Sequence, residues 1–174
     1  YITIATDNIC LLLKVNDKKK LEQTYFGKKI KYQDELKKVP LKDFTAYSTF
    51  GTNHVFEAAL RVTHADGNTS TDLVYVSSKD EKLGDNIIHT VISLKDAYYG
   101  FFVDLHYNAY LKEDIIEQWT ELRNSENKSV RLENFASSDI SFNAKKYYVS
   151  QFYGDWAEEM NITEQELTSG IKII

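Results

Sequence analysis

The sequence predicts an all-β fold, a sandwich or a barrel made of short antiparallel strands. Three observations predict it. Apolar residues recur with a period of two along most of the chain, as they do when alternate side chains point to opposite faces of a strand. The links between these runs are short and polar, with Asn, Asp and Gly at the turns. The runs are many and short, at the spacing of sandwiches and barrels rather than of α/β folds.

The elements follow in order. Ile2–Thr6, Cys10–Val15 and Leu21–Phe26 read as strands, separated by turns at Asp7–Asn8 and Asn16–Lys20. Lys28–Phe50 then breaks the alternation. It holds the only Pro, Pro40, and six Lys at 28, 29, 31, 37, 38 and 42, and reads as a long connection with a short helix near Gln33–Lys38. Its charge reads as a solvated loop. An anion or polysaccharide site is the alternative, opposed by the interspersed Asp34, Glu35 and Asp43. Ala58–Ala65 and Thr71–Ser77 flank Asp66-Gly67-Asn68, a hairpin signal because Asp-Gly tolerates positive φ. Ile87–Leu94 is the next strand, after Gly84-Asp85-Asn86.

The clearest pattern comes next. Val103, Leu105, Tyr107, Ala109 and Leu111 alternate with Phe102, Asp104, His106, Asn108 and Tyr110. Ile116–Leu122 and Val130–Phe135 continue the same period, across Lys112–Asp114 and Asn124–Lys128, so the three runs read as an antiparallel meander. Near the C-terminus Tyr147–Tyr153 reads as strand. Asp155–Leu167 instead carries helix formers and a capping-box pattern, Thr163-x-x-Glu166, and local propensity divides the two near Gly154.

Composition narrows the function. The chain has 174 residues, 43% of them hydrophobic and 27% charged, which is globular chemistry and excludes wholesale disorder. One cysteine cannot close an internal disulfide, so Cys10 reads as a small buried hydrophobe. No thiolate zinc site and no cofactor motif is present. The longest apolar run, Ile9–Leu13, is far short of the ~20 residues of a membrane-spanning helix. A net charge of −5 argues against a nucleic-acid partner. The chain starts at Tyr1 and stops at Gly170–Ile174 just as an apolar pattern restarts. It therefore reads as a piece of a longer protein without a leader, which leaves the compartment open between cytoplasm and periplasm.

Candidate chemistry is sparse. Asp155, Glu158 and Glu159 cluster beside Trp156, and a carboxylate against an aromatic can become a general acid. A glycosidase pair must face across a gap of about 5–10 Å, however, and adjacent strand residues point to opposite faces. These acids therefore read as surface groups. His54, His64, His89 and His106 lack metal-ligand spacing, so no metal is expected. The aromatic clusters Tyr98–Phe102, Tyr147–Tyr148 and Phe152–Trp156 fit a core and a docking surface; the alternative is a carbohydrate-binding module, with Trp119, Trp156 or the Tyr clusters stacking on sugar rings. Sequons at Asn68, Asn127 and Asn161 do not establish secretion.

Three strings carry a resemblance. Phe50-Gly-Thr-Asn-His-Val-Phe-Glu-Ala-Ala-Leu-Arg-Val-Thr-His-Ala-Asp-Gly67 is the first, Asp114-Ile-Ile-Glu-Gln-Trp-Thr-Glu-Leu-Arg123 the second, and Phe152-Tyr-Gly-Asp-Trp-Ala-Glu-Glu-Met160 followed by Leu167-Thr-Ser-Gly170 the third. Together, and in this order, they resemble the N-terminal domain of family 36 glycoside hydrolases, the α-galactosidases, over nearly the whole chain. The resemblance implies a single domain over residues 1–174, a large antiparallel two-sheet β-sandwich of the supersandwich type. In that family it precedes a (β/α)₈ barrel that carries an Asp nucleophile and an Asp acid/base of a retaining mechanism. Such a barrel needs roughly 250 residues by itself, so the chain is expected to hold no catalytic residue and to be inactive alone. Its implied partners are its own C-terminal barrel, further copies in a homo-oligomer, and through the parent enzyme an α-galactoside substrate.

The resemblance also marks sites. Many members carry Gly-Thr-Gly-Asp-Phe-Arg-Glu-Pro in a loop that in some tetramers approaches a neighbour's active site. The matching stretch runs from Gly51 to Ala58, with His54 in place of the Asp and Phe56 in place of the Arg. Phe50, Asn53, His54 and Phe56 are thus the expected intersubunit or substrate-proximal loop, with Phe56 suited to packing at an interface. Phe152, Tyr153 and Trp156 are the expected barrel-docking or sugar-stacking group. The family pattern is extended around Gly154–Met160 although Ala157–Met160 favour helix. We expect the extended form, with Trp156 on one side and Asp155 and Ala157 on the other.

Overall fold

The computed structural model describes residues 1–31, 42–52, 54, 56–143 and 146–168. Among the described residues the twelve regular elements are all strands: β1 (Ile2–Ala5), β2 (Ile9–Val15), β3 (Leu21–Lys28), β4 (Phe44–Thr45), β5 (Leu60–Thr63), β6 (Leu73–Leu83), β7 (Ile87–Asp96), β8 (Phe101–Tyr110), β9 (Ile115–Asn124), β10 (Arg131–Phe135), β11 (Tyr148–Asp155) and β12 (Glu158–Glu166). The expected all-β class holds. The helix expected near Gln33–Lys38 lies outside the described residues.

The chain divides into two compact units, Tyr1–Ser141 and a second that begins at Phe142. The first contains two four-stranded antiparallel sheets, ordered β1-β2-β3-β4 and β6-β7-β8-β9, and the short pair β5–β10. Their inner faces share one apolar cluster. Ile4, Leu11, Leu13 and Leu21 enter it from the first sheet, Leu60 and Val62 from β5, and Ile92, Leu94, Val103, Leu105 and Tyr107 from the second sheet. This is sandwich packing. Each such aliphatic chain contributes about 1.5–3 kcal/mol when fully buried. On β8 the alternation is strict: residues 101, 103, 105, 107 and 109 are buried, while Phe102, Asp104, His106, Asn108 and Tyr110 face outward, half-buried.

Two turns pin the sheets. Asn16 Oδ1 accepts from the backbone N–H of Lys18 and Lys20 at 2.9 and 3.0 Å, which holds Lys19 at φ 57°. Asp114 accepts from Asn8 Nδ2 (2.7 Å), Thr6 Oγ1 (2.7 Å) and Asn8 N–H (2.9 Å), tying the β1–β2 turn to the β8–β9 turn. The same bonds hold the Asp114 carboxyl below its ordinary value, the Asn8 side-chain bond foremost.

Several expectations are corrected. Asp66-Gly67 does form a turn, with Gly67 at φ 92°, but β5 and β6 do not pair across it. β5 pairs with β10 and β6 with β7, because the chain crosses between sheets here. The meander is β6 to β9, and β10 leaves it for β5. β6 runs on to Leu83, where Ser77–Lys82 are exposed and polar and give no alternation to read. Phe44–Thr45, inside the supposed connection, pairs with β3. Thr163 caps no helix. It lies in β12, opposite Gln151 of β11.

Candidate docking surfaces

The first surface is the loop that follows Thr49. Its base is rigid. Phe50 N–H donates to the Leu60 carbonyl at 3.0 Å, and Thr71 N–H donates to the Phe50 carbonyl at 3.1 Å. Thr49 Oγ1 donates to the Thr71 carbonyl at 2.6 Å. Ser48 donates from both its N–H and its Oγ to Asp139, at 2.9 and 2.6 Å. Tyr47 Oη donates to the Ala136 carbonyl at 2.7 Å, and burial pushes its pKa up to about 12. Gly51 is required here. It has φ 87°, and a Cβ would come 2.5 Å from Ser70 Cα.

Phe56 is 80% exposed. His54 meets it edge-on at 6.0 Å and sits 3.1 Å from the Glu57 carbonyl through Nε2. Phe50 is more covered, with the Arg61 guanidinium 4.3 Å over its ring. Asn53 lies outside the described residues. The structure thus brings Phe50, His54 and Phe56 into one projecting loop. Beside it lies a cleft of about 270 Å³ lined among others by Thr52, His54, Lys20 and Asp72. Lys20 Nζ there donates to Asp72 at 2.5 Å and to the Leu73 carbonyl at 2.9 Å.

The second surface is the hairpin β11–β12. No helix forms across residues 154–160, but the segment is not extended throughout as expected: β11 ends at Asp155 and β12 begins at Glu158, so Trp156 does not alternate with its neighbours. Trp156 and Ala157 form the turn itself, with Ala157 at φ 66°. Gly154 lets the strands approach there, since a Cβ would meet the Glu158 carbonyl oxygen at 2.9 Å. Trp156, at 93%, is the most exposed of the large hydrophobics, and Phe152 and Tyr153 are exposed too. They border an open concavity of about 670 Å³ with Asp155, Glu159 and Met160.

Sequence reasoning missed Met160 and Ile162, both exposed on this hairpin. Ile162 stands directly opposite Phe152 in register. The signal is available only once the segment is read as strand, because pairing places them beside the aromatics. Asp155 and Glu158 also face each other in register, and both are exposed. That arrangement lacks the water-excluded cleft a glycosidase pair works in. Among the described residues no three His, Cys, Asp or Glu side chains group to hold a metal ion, and no helix is long and apolar enough to cross a membrane.

Comparison with known proteins locates the fold. Residues 19–174 match the model of the glycosyl hydrolase family 36 N-terminal domain. Among solved structures, an α-galactosidase of Lactobacillus brevis superposes with a TM-score of 0.82 at 20% identity, over 97% of this chain and 27% of that one. An α-galactosidase of Geobacillus stearothermophilus bound to 1-deoxygalactonojirimycin gives 0.86 at 19%, over 97% and 28%. The galactosidase domain of an α-galactosidase-sucrose kinase gives 0.81 at 20%, over 97% and 28%. At this identity the likeness is one of fold, and the chain spans little more than a quarter of each of these chains. No curated protein sequence matches it significantly.

Proposed function

We propose a role from one premise: the chain belongs to the glycosyl hydrolase family 36 N-terminal domain family. It acts as the non-catalytic N-terminal domain of a longer α-galactosidase. It scaffolds the catalytic barrel and contributes to subunit assembly, while the barrel cleaves terminal α-galactosides. The hairpin is the observation that carries this reading. A two-stranded hairpin is marginally stable alone in water, and this one presents Phe152, Trp156, Met160 and Ile162 to solvent. Contiguous exposed apolar groups of this kind mark interaction sites. A barrel of the same polypeptide is the covering partner, and the Phe50–Phe56 loop is the contact to a second subunit.

The test has two arms. The chain alone is expected to leave p-nitrophenyl α-galactoside uncleaved. Co-expressed with the remaining polypeptide of its parent enzyme, it is expected to form a complex that cleaves it, and Phe152→Ser with Trp156→Ser to weaken that complex about tenfold or more. Turnover by the chain alone that is lost on changing Asp155 or Glu159 overturns the non-catalytic reading. A complex indifferent to the hairpin substitutions overturns the docking assignment.

A further inference from the structure

The outer face of β7–β9 carries a group that scaffolding does not use. His89 on β7, His106 on β8 and Trp119 on β9 all point away from the core, and His106 stands opposite Trp119 in register. His89 Nε2 and His106 Nδ1 meet at 3.3 Å, with ring centroids 5.4 Å apart. Trp119 lies nearly parallel to both: 12° and 4.9 Å from His106, 26° and 5.3 Å from His89. Two imidazoles joined through their edges lie side by side in one layer. On opposite faces of the indole they would be two van der Waals layers apart, about 7 Å. Both therefore cover the same face of Trp119, and its other face is left uncovered by them.

The polar surroundings are ordered. Glu117 accepts from Asn108 Nδ2 at 2.9 Å and from Tyr110 Oη at 3.0 Å, both through Oε2. Asn108 Oδ1 in turn accepts from His89 Nδ1 at 2.7 Å. Followed donor to acceptor, the chain runs His106, His89, Asn108, Glu117. It fixes the tautomers and leaves His106 Nε2 buried with no hydrogen-bond partner, 3.7 Å from Glu121. The Trp119 Nε1–H has no acceptor among the described residues. The charges flanking the indole are acidic, Glu117 and Glu121 on its own strand and Asp104 opposite Glu121. Three cations of this face have partners: Arg123 and Lys95 lie over Phe102 at 4.0 and 5.8 Å, and Lys79 sits 3.8 Å from Glu81.

We propose that this face binds a pyranose ring of a neutral oligosaccharide, stacked on the face of the half-buried Trp119 that the two imidazoles leave. An aromatic face takes the C–H side of a sugar, and fixed carboxylates and an indole N–H take its hydroxyls. The acidic rim disfavours phosphates, sulfates and nucleotides. The assignment stands on this geometry. Only the choice of galactosides as probes rests on the proposed function, so failure here leaves the complementation result standing, and the reverse.

Trp119 and Trp156 are the only tryptophans, so in a Trp156→Phe variant the fluorescence reports Trp119 alone. Titration with raffinose and melibiose is expected to give a saturable change in the millimolar range. In the otherwise unaltered chain, followed by calorimetry, Trp119→Ala is expected to weaken binding about tenfold or more and Glu117→Gln severalfold. Circular dichroism establishes that each variant is folded, and Glu117→Gln decides the matter if Trp119→Ala is not. No saturation into the high millimolar range overturns the proposal. So does binding unaltered by both substitutions, and so does equal affinity for a sulfated sugar, a nucleotide or tetramethylammonium.

Discussion

The sandwich and the hairpin are written in the same alternating pattern and use it in opposite ways. In the sandwich, alternation separates an inner from an outer face: Val103 and Leu105 are fully buried, while Asp104 and His106 between them face out. In the hairpin, Phe152 and Ile162 stand opposite each other and both are more than 60% exposed. Among the described residues every buried hydrophobic side chain lies between Ile4 and Ala109, and none after Phe142 is buried. Period two thus reports strand geometry. It does not report whether the apolar face is covered within the chain.

The sharpest way to break this comparison is to remove equivalent bulk from both regions. Leu105→Ala opens a cavity in the sandwich core and is expected to cost about 2–5 kcal/mol. Ile162→Ala removes a comparable side chain from the hairpin and is expected to change stability by no more than about 0.5 kcal/mol. Urea unfolding followed by circular dichroism measures both. Similar losses would mean that the hairpin is packed within the chain after all.

A backbone change gives the next largest effect. Gly51→Ala forces a side chain into left-handed backbone and against Ser70. It is expected to destabilise by about 1–3 kcal/mol, read as a lower unfolding midpoint. Gly84→Ala is the control, because it shares positive φ (68°) but meets nothing within 4 Å. Equal effects would show that the close approach to Ser70 is unimportant.

How much of this was legible follows from the same contrast. β8 could be read residue by residue, because one face meets a core and the other meets water. The pairing of β5 with β10 could not, because no local signal says which of two strong strands a turn such as Asp66-Gly67 joins. β6 beyond Ser77 was invisible, since both its faces are polar and pairing with β7 alone makes it strand. At the C-terminus, helix propensity at Ala157–Met160 and the Thr163-x-x-Glu166 pattern pointed the wrong way. Cross-strand pairing from Tyr148↔Glu166 to Asp155↔Glu158 outweighed them. Among the site residues, the exposed aromatics of the loop and the hairpin were named from sequence. Trp119 was named from sequence as a sugar-stacking alternative, but its layer with His89 and His106 was not, because the three come from three strands and only the register brings them together.

A smaller effect concerns acid. Asp114 is held below its ordinary pKa in the folded chain, so its contribution is present above the unfolded value, near 3.8, and is lost as the pH falls through the lower folded value. Asp114→Asn is expected to lower the unfolding midpoint modestly at pH 7 and to reduce the loss seen on acidification below about pH 4. Midpoints measured from pH 2 to pH 7 check this. An unchanged acid limb would mean that the tie between the β1–β2 and β8–β9 turns is dispensable.

The smallest stability effect expected is also the one that separates the two regions by function. Trp156→Ser and Phe152→Ser touch nothing buried, so the unfolding midpoint of the chain should move by no more than the ~0.5 kcal/mol of an ordinary surface change. Association is another matter. The hairpin offers Phe152, Trp156, Met160 and Ile162 to any copy that meets it, and exposed apolar groups of this kind drive self-association at high concentration. Asp155, Glu158 and Glu159 keep part of that surface charged, so the association should be weak, and added salt should strengthen it by screening their repulsion. Light scattering over a concentration series is expected to show an apparent mass that rises for the unaltered chain and stays flat for the double variant. A flat profile for both, at low and at high salt, would mean that the hairpin's apolar groups are not the adhesive surface their exposure indicates. A rise that persists in the double variant would move the contact elsewhere, with Phe56 the next side chain to change.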